Sequence, residues 1–400
     1  MLFQTLDDKS ECVGIFCDDK LYFNEDEFPS SLSKTWKFAP YLRGLDVEYA
    51  SLYLEGRSLK SAIPEYLQDD WEDASVKIQA FKRSMSQAKV DLHENCLYDL
   101  IPRRFLLDLC RVKNRITEHV LQKIDRPKRY DFYKHVCMLL DDISQHRVAL
   151  DERKLKSYVN IPKFSSYLKS MQKFRYIKYN QFGTKTGRLT TASRSFPILT
   201  LPKDLRSAIL PENDYYLELD FNGAEVRTLL GLLGKPQPTD DVHDFHLRHV
   251  FTEISSRADA KIAFFAWLYG STKQRGSSAA KRLENHYPKH LLLKKYYRNN
   301  EIITPYGKVI PEVSDHHAVN YLVQATAAEL FLKQALKIDY LLRTQGLGSR
   351  VAYLLHDAII LDMKNEDNGL VSALCHLMAS TNFGTFGINI KRGSTLGALQ

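Results

Sequence analysis

The pair His356-Asp357 sits between two apolar, β-like runs, Val351 to Leu355 and Ala358 to Leu361. A polar pair flanked this way belongs at a tight hairpin turn, and it leaves an aspartate exposed at a sheet edge. A second strand, Tyr215 to Leu219, ends in Asp220 and leads into a helix, Ala224 to Leu233. Strands, then helices, then a hairpin predict an α+β domain with an antiparallel sheet. If the two strands are neighbours, Asp220 and Asp357 can share a pair of metal ions about 3.5–4 Å apart, an arrangement suited to in-line phosphoryl displacement. Mg²⁺ fits such a site because it needs few carboxylates and fills its shell with water and phosphate oxygens. Taken singly, each aspartate fits a turn or cap better than a metal site, so the pairing needs support from elsewhere in the chain.

At 400 residues the chain exceeds what one hydrophobic core usually supports, so two or three packed subdomains are expected. The net charge of +8 favours an acidic partner such as nucleic acid. Basic residues interleave with aromatics in Lys169 to Tyr179 and in Lys294 to Arg298. That pattern suits phosphate tracking and base stacking, and it also fits a solvated helix face. Six cysteines are scattered without a C-x-x-C pair, so neither a disulfide framework nor a zinc ribbon is expected and a reducing compartment is the simpler reading. Met1 to Glu11 carries no secretory pattern, and no apolar run reaches the roughly 18 residues of a membrane span.

Residues 1 to about 70 read as short strands and turns, with apolar runs at Val13 to Cys17 and Leu21 to Phe23. From Ala74 to Asp151 the pattern is helical, broken near Pro102 and Pro127, and Tyr130 to Val148 repeats with a helical period. Ala258 to Tyr269 is a strongly apolar helix, and Asp315 to Leu342 is a longer one. Arg257, Lys261, Phe265 and Tyr269 are spaced by four and share one face of the apolar helix. Two cations near a helix N-terminus suit a triphosphate, and two aromatics further along can stack on its base. A core-facing stripe with snorkelling cations is the alternative.

Six segments carry a family resemblance. Asp220-Phe221-Asn222-Gly223-Ala224-Glu225-Val226-Arg227 resembles motif A of family A (DNA polymerase I-like) DNA polymerases, Arg257 to Gly270 resembles motif B, and His356-Asp357 resembles motif C, H-D-E. Thr184 to Leu189 is similar to T-x-T-G-R-L, Asp241-Val242-His243 to D-I-H, and Asn320 to Glu329 to N-x-x-x-Q-G-T-A-A-D. The resemblance covers about Phe174 to the C-terminus. It implies a right-hand palm with an antiparallel sheet, helical fingers, and template-directed addition of dNTPs to a primer 3′ end with pyrophosphate release. Asp220 and Asp357 would be ligands of two Mg²⁺ ions, with Mn²⁺ able to substitute. Lys261, Arg257 and His243 would meet the triphosphate, with Lys261 as proton donor to pyrophosphate. Phe265 and Tyr269 would frame the nascent base pair, and Arg206 would support the triphosphate or the fingers. Arg188, Asn320 and Gln324 would meet the primer–template minor groove, and His356 the primer end. Glu225 would exclude a 2′-hydroxyl, although Asn222-x-x-Glu225 also fits a helix capping box. His243, His246 and His249 walk about 60° off one helix face, so they predict no zinc site.

The chain also departs from the family pattern. Ala358 replaces the glutamate of H-D-E, Ala325 replaces a glycine, and only about 30 residues separate Leu150 from Thr184, where relatives carry a long helical thumb. A reduced or rearranged thumb follows, built from Lys163 to Tyr179 or from Lys82 to Lys123 with Arg103, Arg104, Arg111, Lys113 and Arg115. Fewer phosphate contacts predict short additions per binding event unless a partner protein clamps the DNA. Phe3-Gln4-Thr5-Leu6 echoes an exonuclease start, F-D-T-E, with both carboxylates missing, so no proofreading is expected. The expected domains are a small strand-rich α/β region at 1–75, a mainly helical region at 76–183, and palm and fingers at 184–400. A single-subunit RNA polymerase or an inactive DNA-binding accessory protein are the rival readings. The small size suggests a phage-type enzyme in a bacterial or phage-infected host cytoplasm, near the nucleoid and without a membrane.

Overall fold

A computed structural model describes residues 1–6, 14–92, 95–270 and 276–400. Val13, expected to begin an apolar run, and Cys12 lie outside them. The chain forms two compact units, Met1–Gln145 and His146–Gln400. This division falls between the boundaries expected at 75/76 and 183/184. Two contacts account for it: the helix Arg103–Lys123 packs on the first strand of the chain, and residues 149–150 pair with residues 209–210.

The first unit holds a five-stranded sheet in the order β3-β2-β1-β4-β5. Its strands are β1 (Leu2–Thr5), β2 (Ile15–Cys17), β3 (Lys20–Tyr22), β4 (Lys34–Thr35) and β5 (Glu48–Tyr49). β1, β2 and β3 run antiparallel, whereas β4 and β5 continue in parallel. The helices are α1 (Ala50–Tyr53), α2 (Gln68–Gln87), α3 (Leu97–Leu100), α4 (Arg103–Lys123) and α5 (Tyr130–Gln145). Pro102 and Pro127 stand just before α4 and α5, as proline's missing N–H favours. Leu106, Leu109, Cys110, Ile116, Thr117 and Val120 bury one face of α4. Two of the cations proposed as a phosphate grip are neutralised within this unit. Arg111 bonds Asp19 at 2.7 Å and Asp108 at 3.0 Å, and Arg115 bonds Asp70 at 2.7 Å. Cys17, Cys110, Cys137 and Cys375 form no disulfide, but Cys96 is disulfide-bonded. That corrects the expectation of an all-thiol chain; scattered spacing cannot reveal a pairing made by the fold.

In the second unit, β6 (Ala149–Leu150) pairs with β9 (Ile209–Leu210), and β7 (Tyr179–Asn180) with β8 (Thr190–Thr191). Between 146 and 183 the α-helices are α6 (Glu152–Ser157) and α7 (Ser165–Lys173), both short. α8 (Lys203–Arg206) precedes β10 (Tyr215–Phe221), which leads through α9 (Ala224–Leu232) to α10 (Val242–His249) and α11 (Arg257–Leu268). Then come α12 (Ser278–His286), α13 (Lys289–Tyr296) and a small sheet of β11 (Tyr297–Arg298), β12 (Glu301–Ile303) and β13 (Val309–Ile310). α14 (Asp315–Thr344) is followed by the hairpin β14 (Arg350–Leu355) and β15 (Ala358–Met363). α15 (Val371–Ala379), the pair β16 (Ser380–Thr381) and β17 (Gly384–Thr385), and β18 (Ile388–Gly393) complete the unit. The main sheet is β14-β15-β10-β18, antiparallel throughout. Leu219, Ile359, Ile360 and Leu361 are fully buried in it, which explains why these strands read as nearly continuous apolar runs. α14 packs on α9, α15 and β14, and a second core of Phe264, Trp267, Tyr287 and Leu322 joins α11 to α14. This is an α+β fold, as expected. Among the described residues no helix is long and apolar enough to cross a membrane.

Candidate active site

β10 is an interior strand, and its register sets the site. Asp220 lies opposite Ala358 of β15 on one side and Asn389 of β18 on the other. The β14–β15 hairpin turns at His356-Asp357, with His356 in the left-handed region at φ 58°, as a two-residue hairpin turn requires. The Phe221 N–H donates to the Asp357 carbonyl at 3.3 Å, so the turn closes beside the end of β10. Asp220 and Asp357 therefore stand together at the rim of the sheet, lining a cavity of about 460 Å³. Tyr179 steadies the hairpin, donating to the Leu354 carbonyl at 2.9 Å and accepting from its N–H at 3.1 Å.

Across the cavity stands α11. Ser256 caps it, accepting from the Asp259 N–H at 3.1 Å, and Arg257, Lys261, Phe265 and Tyr269 line the cavity wall. The Phe265 and Tyr269 rings lie 5.5 Å apart, and His243 is 6.1 Å from Phe265. Arg257 is already engaged: its guanidinium grips Asp241 at 3.0 and 2.6 Å. Asp241 also caps α10, accepting from the His243 and Asp244 N–H groups, and takes a bond from Asn222 at 2.8 Å. Burial pushes the Asp241 carboxyl up, yet Arg257, Asn222 and the two amides together hold it well below the usual carboxylate range.

The capping-box reading of Asn222-x-x-Glu225 is not realised. The cap residue of α9 is Gly223, with φ 69° and no side-chain cap. A Cβ there would approach Val242 Cγ2 to 2.4 Å, so both space and backbone require glycine. Glu225 is 6% exposed and receives bonds from Arg188 and from the Tyr269 hydroxyl, the latter at 3.1 Å. Burial raises its pKa despite Arg188. Arg227 is fully buried and donates to the carbonyls of Asn222, Pro238 and Asp240 at 2.7–2.9 Å, fixing the loop that delivers Asp241.

Thus Asp220, Asp357, Lys261, Arg257, His243, Phe265, Tyr269, Glu225, Arg188 and His356 converge on one cavity. Asn320, Gln324 and Arg206 do not line it. Gln324 donates to Asn320 at 2.7 Å one turn along α14, and Arg206 lies near enough to His356 to lower its pKa, behind burial. Of the three α10 histidines, His243 faces the cavity, whereas His246 is buried against the Tyr287 hydroxyl at 2.6 Å. Asn389 and the Asp241 clamp are the site features missed by the sequence reading. No local signal marks Asn389, whose partner lies 169 residues away.

The carboxylate pair fits a cation. Burial pushes the Asp220 carboxyl up to about 6; the Asn389 hydrogen bond and Lys391 oppose this, while Asp357 and Glu218 add repulsion. Asp357 is likewise raised by burial, against Arg188 and Lys261. Two desolvated anions side by side are costly alone and are offset by a bound divalent ion. Among the described residues no group of three or more His, Cys, Asp or Glu side chains gathers as a metal site. Water and substrate phosphates would complete the shell, as Mg²⁺ accepts.

An antiparallel palm sheet with paired carboxylates facing a cationic helix defines a polymerase-type domain. Comparisons with known proteins agree with that class. The chain is 27% identical to the thermostable DNA polymerase I of Thermus thermophilus over 244 residues, covering 50% of this chain and 29% of the relative. It is 23% identical to DNA polymerase I of Aquifex aeolicus over 266 residues, covering 56% of this chain and 45% of that one. The Pseudomonas aeruginosa DNA polymerase I is 24% identical over 245 residues, with 50% and 26% covered. The structure of the POL domain of Pol1 from M. smegmatis, in complex with DNA primer-template and dNTP, superposes with a TM-score of 0.60 and 13% identity. That match covers 74% of this chain and 76% of the other. No protein-family model matches. The chain is thus similar in sequence to DNA polymerase I proteins and has a polymerase-domain fold, and it aligns with less than half the length of these curated relatives.

Proposed function

We propose that the chain is a template-directed DNA polymerase that adds dNTPs to a primer 3′ end and releases pyrophosphate. The observation that carries this reading is the placement of Asp220 and Asp357 together at the sheet rim, facing Lys261 and Arg257 across one cavity. Asp220 and Asp357 would hold two divalent ions, Mg²⁺ or Mn²⁺, which when bound supply charge stabilisation for in-line phosphoryl transfer. The chain's own groups do the rest. Lys261 and His243 receive the triphosphate, with Arg257 presented beside them by Asp241. Lys261 is the candidate proton donor to the departing pyrophosphate. Phe265 and Tyr269 offer a face for the incoming base. Glu225, held between Arg188 and Tyr269, presents a fixed carboxylate that leaves no room for a 2′-hydroxyl. Arg188, Asn320 and Gln324 would touch the minor groove, and His356 the primer end. Arg206, whose charge reaches His356, would support the triphosphate or the fingers.

The partners on this reading are primer–template DNA and dNTPs, with a clamping protein supplying grip where α6 and α7 are short. The setting is a bacterial or phage-infected cytoplasm. Primer extension with dNTPs or rNTPs tests the proposal. Extension with dNTPs and poor use of rNTPs is expected; rNTP preference would favour an RNA polymerase, and no extension an inactive accessory protein. In the same assay Glu225→Ala should raise rNTP use relative to dNTP use by about 10- to 100-fold, the scale on which a pocket rejects an analogue that merely adds a hydroxyl. A lowered unfolding temperature with unchanged sugar choice would sink the gate.

A further inference from the structure

We propose that Asn389 is a positioning residue that fixes the Asp220 carboxylate for cation binding, a role that rests on the polymerase reading of the same cavity. Among the described residues β18 is an edge strand that pairs with β10, and Asn389 stands directly opposite Asp220. Opposite residues of an antiparallel pair share a face, so both side chains point to the cavity, which both line. The Asn389 amide donates to Asp220 Oδ2 at 3.0 Å.

The register is held on both sides of this pair. Towards one end, Lys391 bonds Glu218 at 2.9 Å. Towards the other, the Asn222 N–H donates to the Gly387 carbonyl at 2.9 Å. A Cβ on Gly387 would meet the buried Arg227 guanidinium at 2.5 Å, so glycine there lets β18 close onto β10. Asn389 therefore reaches Asp220 from a strand that cannot slide.

The opposite flank explains why a donor matters here. Ala358 is the residue facing Asp220 from β15. It is an alanine where the resemblance places a glutamate, so no side chain from β15 can orient Asp220. Asn389 is neutral and donates only along Oδ2, leaving Oδ1 and the remaining lone pairs to the cavity. A lysine in its place would compete with a cation for the carboxylate; the strand's lysine, Lys391, lies two residues away and is held by Glu218. Groups that orient a ligand in this way affect metal affinity or activity by about 10- to 100-fold when removed.

The test compares wild type, Asn389→Ala, Asn389→Asp and Asn389→Gln. Mn²⁺ binding is read by electron paramagnetic resonance on DNA-free protein, and kcat, dNTP KM and primer–template affinity by extension. Asn389→Ala should weaken Mn²⁺ binding and lower kcat by about 10-fold or more, with KM and DNA affinity within about twofold. Asn389→Gln, which keeps the amide donor, should recover most of the kcat. Asn389→Asp is nearly isosteric and guards against misfolding; it should lose turnover although the strand's shape is kept. Mn²⁺ affinity and kcat near wild type in both Asn389→Ala and Asn389→Asp would overturn the proposal, as would a fall in kcat matched by an equal loss of DNA-binding protein. Absence of extension by wild type would strike the polymerase reading alone, because the Mn²⁺ measurement still decides the role of Asn389.

Discussion

Two sheets in this chain each carry a polar side chain on an interior strand, and the two are treated in opposite ways. In the first unit, Gln4 on β1 is 2% exposed. Its amide donates to the Thr117 hydroxyl at 3.0 Å, and Thr117 donates in turn to the Lys113 carbonyl at 2.7 Å. Two residues on, Leu6 is buried with Phe16, Met85 and Leu106. In the second unit, Asp220 on β10 takes one amide bond, faces another carboxylate and opens into a cavity. A neutral amide with its partner inside the core costs little, whereas a desolvated anion beside a second one costs a great deal. The first arrangement is complete within the protein, and the proposed metal ions would complete the second from outside.

The largest effect expected from this contrast is at Asp220. Asp220→Asn, like Asp357→Asn, should cut extension by about 10³-fold or more, because these groups act on charge that develops in the transition state. Primer–template binding should survive, since it draws on phosphate contacts. Stability should move the other way. The folded pKa of Asp220 is raised above its ordinary value, so the ionised form is disfavoured in the fold. That cost is absent below about pH 4 and fully present above about pH 6. Without divalent ions at pH 8, Asp220→Asn should therefore melt higher, by about 2–4 °C per kcal/mol recovered, and the gain should vanish by pH 4. A variant that loses turnover and also melts lower at pH 8 would break the comparison.

The reverse substitution is the second test. Gln4→Asp puts a carboxylate into a closed core and removes the donor to Thr117. It should cost about 2–4 kcal/mol in urea unfolding, and it should give no metal-dependent trimming of a mismatched primer. Trimming by the pure wild-type protein that is abolished by mutating an N-terminal acid and not by Asp220→Asn, or its gain in Gln4→Asp, would show that the first unit keeps a nuclease site.

Much of the second sheet was legible because its signals are local. The polar pair His356-Asp357 between apolar runs marks a hairpin wherever it occurs, and the four-residue spacing from Arg257 to Tyr269 places four side chains on one helix wall. What stayed hidden depends on distant partners. Asn389 matters only through the β10–β18 register, and Arg257 was read as open to a triphosphate because its bond to Asp241 crosses from one helix to another. Asn222 looked like a cap, but the positive φ of Gly223 turns the cap over to glycine and frees Asn222 to hold Asp241. The unit boundary near residue 145 was hidden in the same way, since it is set by pairings between segments far apart in the chain.

The smallest effect is set by protons rather than mutations, and it divides the two units again. Gln4 and Thr117 are buried groups that cannot take up a proton, whereas His246 is fully buried in the second unit, stacked on Phe264 at 5.1 Å. Burial, with His243 and His286 nearby, lowers its pKa to about 3; burial lowers that of His243 to about 4. Unfolded histidine binds its proton near pH 6.5. Between pH 6.5 and 3 the unfolded chain therefore holds a proton that the folded chain does not, so this stability is fully present above pH 6.5 and lost as pH falls. From pH 7 to 5 the loss is about 2 kcal/mol for His246. Hydrogen exchange at the two pH values should show α10 and α11 losing protection while β1 and α4 keep theirs. His246→Phe should flatten the pH dependence, because no proton is left to bind. Equal loss of protection in both units, or an unchanged slope in His246→Phe, would place the acid sensitivity elsewhere than in this buried ring.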